Sequence, residues 1–508
     1  LPSFLPLFLL SFFLFHFNTI RQEMNMLTKY IGASVVLALL TSCNDFLDVQ
    51  PKGQNTEDQM FTTITGYEDA MFGVYGKLAS SNLYGESLSW GLVDRLGQEF
   101  GYDNSQDVSY YLNRYQYTNQ QARLQTDAIW KNMYSNLANV NNVLRHMNDI
   151  SSAPQERRLI HGEALGLRAF MHFDLARLYC TDYTRSDANT LGLPYATEFN
   201  LKNRSRYSLH DTFKLIIGDL NAADSLLSDD NNVTYNNVLQ RDYHQDRVIF
   251  FNKYAVKATK ARVYYAMGNK SEAAKYAREV INATQNFKLN TLTSIDSVMR
   301  FPANKEMIFG VYAADRSGAI RSAFLRATGA GTFTEGRRDA RSLYETDHFT
   351  ATSSDARYSS FFRENTSSGA STFSFIRFIQ NDAEANNNTL KGFVLISLPE
   401  MYYILSESVY DTDKTEAISL LNAVRKSRGL GDVDASKVST RDLFEQEMMR
   451  ERMREFPGMG QSFYALKHYN RSFTDFRNVD TYQPSDAIFN LPWPDVENEY
   501  GNKEVHKL

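Results

Sequence analysis

The sequence predicts a mainly helical protein, with helix-turn-helix units on one side and long irregular stretches on the other. Three observations carry that reading. Apolar residues recur three and four apart over long segments, as on the buried face of a helix. Two segments of the second half repeat a helix, a short polar turn and a helix carrying small residues. The stretches between are rich in Ser, Asn, Asp, Gly and aromatic residues and show little helical period.

In "TDAIWKNMYSNLANVNNVLRHM", Ile129, Met133, Leu137, Val140 and Leu144 fall on one face. Pro154 separates this helix from "RLIHGEALGLRAFMHFDLARLYC", where Ile160, Ala164, Leu167, Met171, Leu175 and Leu178 form one stripe. The two should fold back as an antiparallel pair, and Asp174 and Arg177, one turn apart, should pair. From Tyr254 to Ile281, Ala258, Ala261, Gly268, Ala273 and Ala277 occupy places that resemble a degenerate tetratricopeptide repeat. Small residues there let helices approach closely and stack. From Met401 to Leu430, Asp413 caps a helix start with Glu416 three residues on, and Ala417, Leu420, Leu421 and Val424 mark the buried face. Leu443 to Phe456 and Phe463 to Tyr469 suggest a further pair. The scaffold is thus expected mainly from residues 127–180, 209–281, 400–430 and 440–470. The stretches 84–120, 282–392 and 473–508 are expected to form a loop-rich half that faces a ligand, since long loops on a rigid frame usually display binding groups.

Near the N-terminus, "ASVVLALLTSCNDFLDVQP" runs from an apolar segment through small residues into a cysteine and then polar sequence. The run Ile31 to Leu40 is shorter than the roughly 20 residues a bilayer span needs. With Lys29 before it and Met24 or Met26 as a start, it matches the apolar core of a secretory signal. Leu40-Thr41-Ser42-Cys43 resembles a bacterial lipobox, in which the Cys43 thiol takes a diacylglyceryl thioether. An ordinary signal peptide followed by an incidental cysteine is the competing reading. "LPSFLPLFLLSFFLFHFNTI" ahead of it is read as upstream sequence, since Pro2 and Pro6 suit a membrane helix poorly. Residues 1–42 are therefore set aside, and 43–508 are expected to be a single domain.

The formal charge is −5, and removing Arg21, Lys29 and Glu23 makes the remainder one unit more negative. A chain of that balance has no basic excess with which to hold nucleic acid. There are two cysteines. With Cys43 lipidated, Cys180 has no partner for a disulfide, and its apolar neighbours point to a core residue.

Catalytic signatures are absent: no Walker loop, no His-Glu-x-x-His, no Gly-x-Ser-x-Gly and no Cys-x-x-Cys. "GQSFY" lacks the closing glycine of a nucleophile elbow, and the Gly-rich "ATGAGTFTEG" is followed by no P-loop lysine. His161 and His172 share a helix but nothing supplies further ligands, so a structural role is expected and no metal. Asp411 and Asp413 lack the spacing of a calcium loop. No cofactor is expected, and the sequence reads as a binding protein rather than an enzyme.

Together these residues resemble the SusD/RagB family of Bacteroidetes nutrient-uptake lipoproteins. "CNDFLDVQP", followed by Phe61, Gly66, Ala70, Gly73 and Tyr75, is similar to the family's start. Glu163, Arg168 and Ala169 match its Arg-Ala helix; Glu400, Asn422, Arg425, Arg428 and Gly429 match its third helical pair; "LPWP" is similar to its C-terminal Pro-x-Pro. After Glu451-Arg452 and Glu455-Phe456 the family continues Gly-Glu-Gly, then Arg, an aromatic, Asp-Leu and Arg. Here Gly458 and Gly460 remain, while Met459, Ser462, Ala465 and His468 replace the charged members, and the usual Gln-Asn-Pro-Gly-Tyr ending is missing.

The resemblance implies a SusD-like fold: four tetratricopeptide-like helix pairs in a right-handed superhelix, plus an irregular half with few short strands. It implies a lipid anchor at the outer face of the outer membrane. It also implies a SusC-like TonB-dependent barrel as partner, for which the protein captures oligosaccharides or, in some members, peptides. A helical-repeat scaffold with only protein partners, and a lipid-anchored hydrolase with two carboxylates across a cleft, are the readings from other classes. Sugars present apolar C–H faces and polar rims, so a binding face wants flat rings beside amides and carboxylates. Trp90, Tyr102, Tyr110 and Tyr111 are the candidate ligand contacts, with core packing as the competing reading for each. Trp130 and Trp493 are assigned to the core.

Overall fold

Short polar side chains open the long helices by accepting the backbone N–H groups that a helix start leaves unpaired. In the computed structural model Asn119 accepts from Gln121 and Ala122, Ser208 from Asp211, Asn252 from Tyr254 and Ala255, and Asp413 from Glu416. The structure describes residues 57–506 apart from 150, 201, 232, 234–242, 244, 246, 292–304, 326–334, 345–354, 368–369, 380, 388–389 and 437. The signal-like run, Cys43 and most of "ATGAGTFTEG" lie outside the described residues. The chain divides into two units, Leu1–Met60 and Phe61–Leu508, and the described part of the first is one turn of helix, Glu57–Met60.

The second unit is built on ten helices: α1 (Ile64–Leu78), α2 (Gln120–Arg145), α3 (Pro154–Tyr179), α4 (Leu209–Leu226), α5 (Lys253–Ala266), α6 (Lys270–Ile281), α7 (Leu398–Val409), α8 (Lys414–Ser427), α9 (Arg441–Glu455) and α10 (Ser462–Tyr469). Each from α2 to α7 packs on the next, α9 packs on α7 and on α10, and α1 lies against α2 and α3. The small residues behave as expected: Ala258, Ala261, Ala273 and Ala277 are fully buried between α5 and its neighbours.

Helix α3 departs from a simple amphipathic helix. Every residue from Gly162 to Ala176 is buried, polar ones included, because neighbours cover it all round. Gly166 makes room for that packing, since a Cβ there would sit 2.5 Å from the Phe251 ring. The buried polar groups are paired, as their desolvation demands. Glu163 accepts from the hydroxyls of Tyr75 and Tyr243, each at 2.6 Å, and faces Arg247. Arg168 makes a two-pronged pair with Asp219 at 2.6 and 2.7 Å. Asp174 pairs with Arg177 and accepts from Tyr84. His172 accepts from the Ala196 amide, and burial pushes its imidazole down to about 3. It is a neutral core residue.

The stretches between the helices hold short strands. Met307–Tyr312 pairs antiparallel with Gly392–Ser397, and Phe362–Ser367 forms a hairpin with Ala370–Phe375. Phe100–Gly101 pairs with Glu335–Gly336, so the end of the Gly-rich stretch is tied to the region after α1.

One buried network joins the last helices to these strands. Arg357, Arg425, Arg428 and Arg454 interleave with Asp355, Glu306, Glu447, Glu451 and Glu455, all nearly inaccessible. Glu451 receives Arg357 at 3.1 Å, Arg454 at 2.7 Å and the Tyr403 hydroxyl at 3.1 Å. Arg428 bridges Glu455 at 2.7 Å and Glu306 at 2.9 Å.

Next to this network the residues that replace the family's charges have visible consequences. Met459 places its sulfur 3.4 Å from Arg377, whose other contacts are the carbonyls of Glu455 and Pro457. With no carboxylate bonded to it, burial pulls that guanidinium down to about 10. Ser462 donates to Glu99 at 2.6 Å, and the Asp94 carboxylate accepts from the Gly458 amide. Both acids are inaccessible, and Asp94 Oδ1 and Glu99 Oε2 have no hydrogen-bond partner. Burial is the main reason the Glu99 carboxyl is pushed up from 4.5 to about 7. Gly460 closes the turn at φ 67°, where a Cβ would sit 2.3 Å from the Leu88 carbonyl oxygen.

A carboxyl raised on folding stabilises the fold while it is protonated. The Glu99 contribution is therefore complete below about pH 4.5 and is lost as pH rises to about 7. The loss amounts to about 3 kcal/mol at most, at ~1.4 kcal/mol per unit. Glu99→Gln should match the parent in melting temperature near pH 4 and exceed it near pH 8. A difference that does not change with pH would exclude this.

Candidate functional site

The region after α1 gathers the residues on which the sequence reading placed ligand contact. Asp107 caps a short helix, Val108–Leu112, by accepting from the Ser109 amide at 2.7 Å. That turn sets Tyr110 and Tyr111 side by side, half-buried, with ring centres 5.4 Å apart and edge to face. Tyr111 donates to the Ser105 carbonyl at 3.1 Å, and Tyr102, also half-buried, accepts from Asn104 at 3.3 Å.

Two arginines fix the charge at this surface. The Arg114 guanidinium lies 3.7 Å from the centre of the Tyr110 ring and donates to Asp103 at 2.7 Å. Arg477, from a loop more than 350 residues away in sequence, reaches the other oxygen of Asp103 at 3.3 Å. Burial opposes ionisation of Asp103, but the hydrogen bonds and charges of Arg114 and Arg477 outweigh it and hold the carboxyl below its usual range. Arg477 is in turn held by Asp475 at 2.6 Å and by Asp480. Tyr115 sits at φ 56°, donates to the Leu96 carbonyl at 2.7 Å, and packs edge-on to Tyr482 at 5.1 Å. The result is a half-exposed group of tyrosines stitched together by guanidinium and carboxylate groups, with flat apolar faces beside hydrogen-bonding edges.

Trp90 does not join it. Its ring is 2% exposed, donates from Nε1 to the Gly85 carbonyl at 3.0 Å, and packs against Phe324. A buried indole with a satisfied N–H belongs to the core and offers no face to a ligand. The opposite correction applies to Trp493. It is half-buried, lies against Trp130, and carries the Arg206 guanidinium 3.9 Å over its ring. Trp130 is 4% exposed, as a core residue should be. Cys180 is buried with a free thiol, and burial pushes that thiol up to about 12.

This arrangement has recognisable relatives. The SusD-like family described as starch-binding and associating with the outer membrane matches residues 45–265. Residues 45–265 are thus SusD-like in sequence. A SusD-like carbohydrate binding protein of Bacteroides vulgatus superposes with a TM-score of 0.68 over 86% of this chain and 96% of its own, at 19% identity. A SusD superfamily protein of Bacteroides thetaiotaomicron gives 0.68 over 86% and 98%, also at 19%. One of Bacteroides fragilis gives 0.64 over 87% and 99%, at 19%. No curated protein matches the sequence. The SusD-like fold thus spans the α1–α10 frame and the irregular half together. Among the described residues, no helix of this SusD-like chain is long and apolar enough to cross a membrane.

Arg114 and Arg477 of this surface were not singled out from sequence. Arg114 had a readable signal, since it lies four residues from Tyr110 and so on the same helical face. Arg477 had none, because only the tertiary structure brings its loop to Asp103.

Proposed function

We propose that this protein captures oligosaccharides at the cell surface and hands them to a SusC-like TonB-dependent barrel in the outer membrane, without chemistry of its own. The observation that carries the reading is the joining of Tyr110 and Tyr111 to Arg114, Asp103 and Arg477 on one half-exposed surface. Ring faces meet the C–H faces of a sugar, and the guanidinium and carboxylate groups meet its hydroxyls. Because those charged groups are already held by one another, they are positioned before the ligand arrives, and little ordering cost falls on binding. Binding rather than catalysis is supported by the buried carboxylates: Glu163, Glu306, Glu400, Glu407, Glu451 and Glu455 each face an arginine. An acid neutralised in that way is a poor proton donor or nucleophile.

Anchoring through lipid on Cys43 and the delivery partner follow from the family reading. A glycan array on the full-length chain, followed by calorimetry with the best saccharide, tests it. Tyr110→Ala combined with Tyr111→Ala should weaken that saccharide at least tenfold, about 1.4 kcal/mol. The melting temperature should fall only slightly, as both rings are half-exposed. If no saccharide binds, or the double variant binds as well as the parent, the assignment of this surface is wrong.

A further inference from the structure

A second recess lies among the helices, away from the tyrosine surface. It is a cleft open to solvent, between the C-terminal end of α3 and parts of α5, α7, α9 and α10. Its wall is aromatic, with Phe173, Phe213, Tyr265 and Tyr464 facing the space.

Arg177 is set into this wall. Its guanidinium lies 3.7 Å from the centre of the Tyr464 ring and 4.7 Å from that of Phe173. One nitrogen pairs with Asp174 and another donates to Gln461 at 3.3 Å. Its Nε is shielded from bulk water and has no hydrogen-bond partner. A guanidinium N–H left unpaired costs free energy that an anionic acceptor would recover. Arg452 lines the same cleft with its carboxylate partner Glu407 behind the wall, and the carboxylates of Asp182 and Glu400 line it too, Glu400 paired with Arg262. Lys467 adds positive charge to the wall. Its ammonium is held by the carbonyls of Arg177, Cys180 and Phe489 and by Asn490, with no carboxylate among them. Burial brings it down to about 8, so it is still mostly cationic at neutral pH.

We infer that this cleft binds a small organic acid with a flat apolar body, its carboxylate on Arg177 and Gln461 and its body against the rings of Phe213, Tyr265 and Tyr464. The same chemistry is presented by the C-terminal aromatic residue of a peptide. A neutral sugar suits the cleft less well, because its hydroxyls are weaker acceptors for the unpaired Arg177 Nε than a carboxylate is.

Calorimetry on the full-length chain tests this with four probes: indole-3-acetate, its neutral amide, the peptide Gly-Gly-Trp and the C-terminal amide of that peptide. At least one acid should bind, and its amide should bind tenfold or more weakly. Tighter binding of the peptide acid assigns the ligand to a chain terminus, and tighter binding of indole-3-acetate assigns it to a free acid. Arg177→Met should abolish the preference for acid over amide. That variant leaves Asp174 buried without its cation and could fail to fold, so Ala266→Leu is the second arm. Ala266 lines the cleft from a half-buried place on α5. Filling it should block the acid at least tenfold with little change in melting temperature. Equal binding of acid and amide, no binding of any probe, or unaltered binding to a folded Ala266→Leu variant would overturn the inference.

Discussion

Glu451→Gln should destabilise the folded chain by about 3–5 kcal/mol, the range for breaking a buried ion pair by removing one partner. Glu451 is wholly inaccessible and lies within ion-pair distance of three guanidiniums, those of Arg357, Arg425 and Arg454. An amide of the same shape keeps the packing but leaves those cations short of a counter-charge in a medium that hydrates them poorly. Burial alone would raise the Glu451 carboxyl, but the three arginines overcome it and hold it far below the ordinary value of 4.5. A carboxyl depressed on folding stabilises at pH values above its unfolded pKa, and the contribution fades as the pH falls below about 4.5. The parent should therefore lose stability on acidification over that window, and the variant should lose less. Denaturant titrations at pH 7 and pH 4 measure both. The exposed pair Lys426–Asp432 is the control, since Asp432→Asn should cost under about 1 kcal/mol. A Glu451→Gln cost as small as the control would show that the network contributes little.

The second large effect concerns location. Cys43→Ala should move the protein from the membrane fraction of the cell to the soluble one, because the proposed thioether to diacylglycerol needs that sulfur. Two acyl chains bind a bilayer far more firmly than one, at ~0.8 kcal/mol per buried methylene. No described helix is long and apolar enough to cross a membrane. Fractionation followed by blotting gives the answer directly. Retention of Cys43→Ala in the membrane fraction would assign anchoring to the apolar segment at residues 1–20 instead.

Just after Glu451 lies the short segment in which this chain departs from the pattern of the family it resembles. Family members are expected to carry a glutamate between the two glycines and an arginine just beyond. Here Arg377 lies against the Met459 sulfur, and Glu99 is met by the Ser462 hydroxyl. The fold tolerates both changes by neutral hydrogen bonds, with Arg377 capped by two carbonyls and Glu99 favoured in its protonated form. Burial, only partly opposed by the Arg337 charge, thus leaves Glu99 sensitive to pH near neutrality.

Much of the helical frame was legible because its signals are local. Periodic apolar residues marked α2, α3, α5, α6, α8 and α9, and Asp413 could be read as a cap from its spacing to Glu416. Small residues on α5 and α6 announced close packing before any neighbour was visible. What failed was burial on the remaining faces. The stripe on α3 described one side of a helix that is enclosed on all of them, and Leu144 gave up its place at the end of the α2 stripe to Val143. The hairpin Phe362–Ser367/Ala370–Phe375 was folded into a stretch read as irregular.

The sequence by itself determined the class of the protein and the order of its helices, because these rest on spacing and local propensity. Only the tertiary structure decided which aromatic residues can meet a ligand. Trp90 went to the core, Trp493 came half out of it, and Tyr110 and Tyr111 stayed at the surface. A ring's exposure depends on which distant segment lands on it: Phe324 for Trp90, Arg206 for Trp493. Likewise Asp103 gained Arg477 from the far end of the chain. Contacts of that range are set by how elements pack, and no local pattern records them.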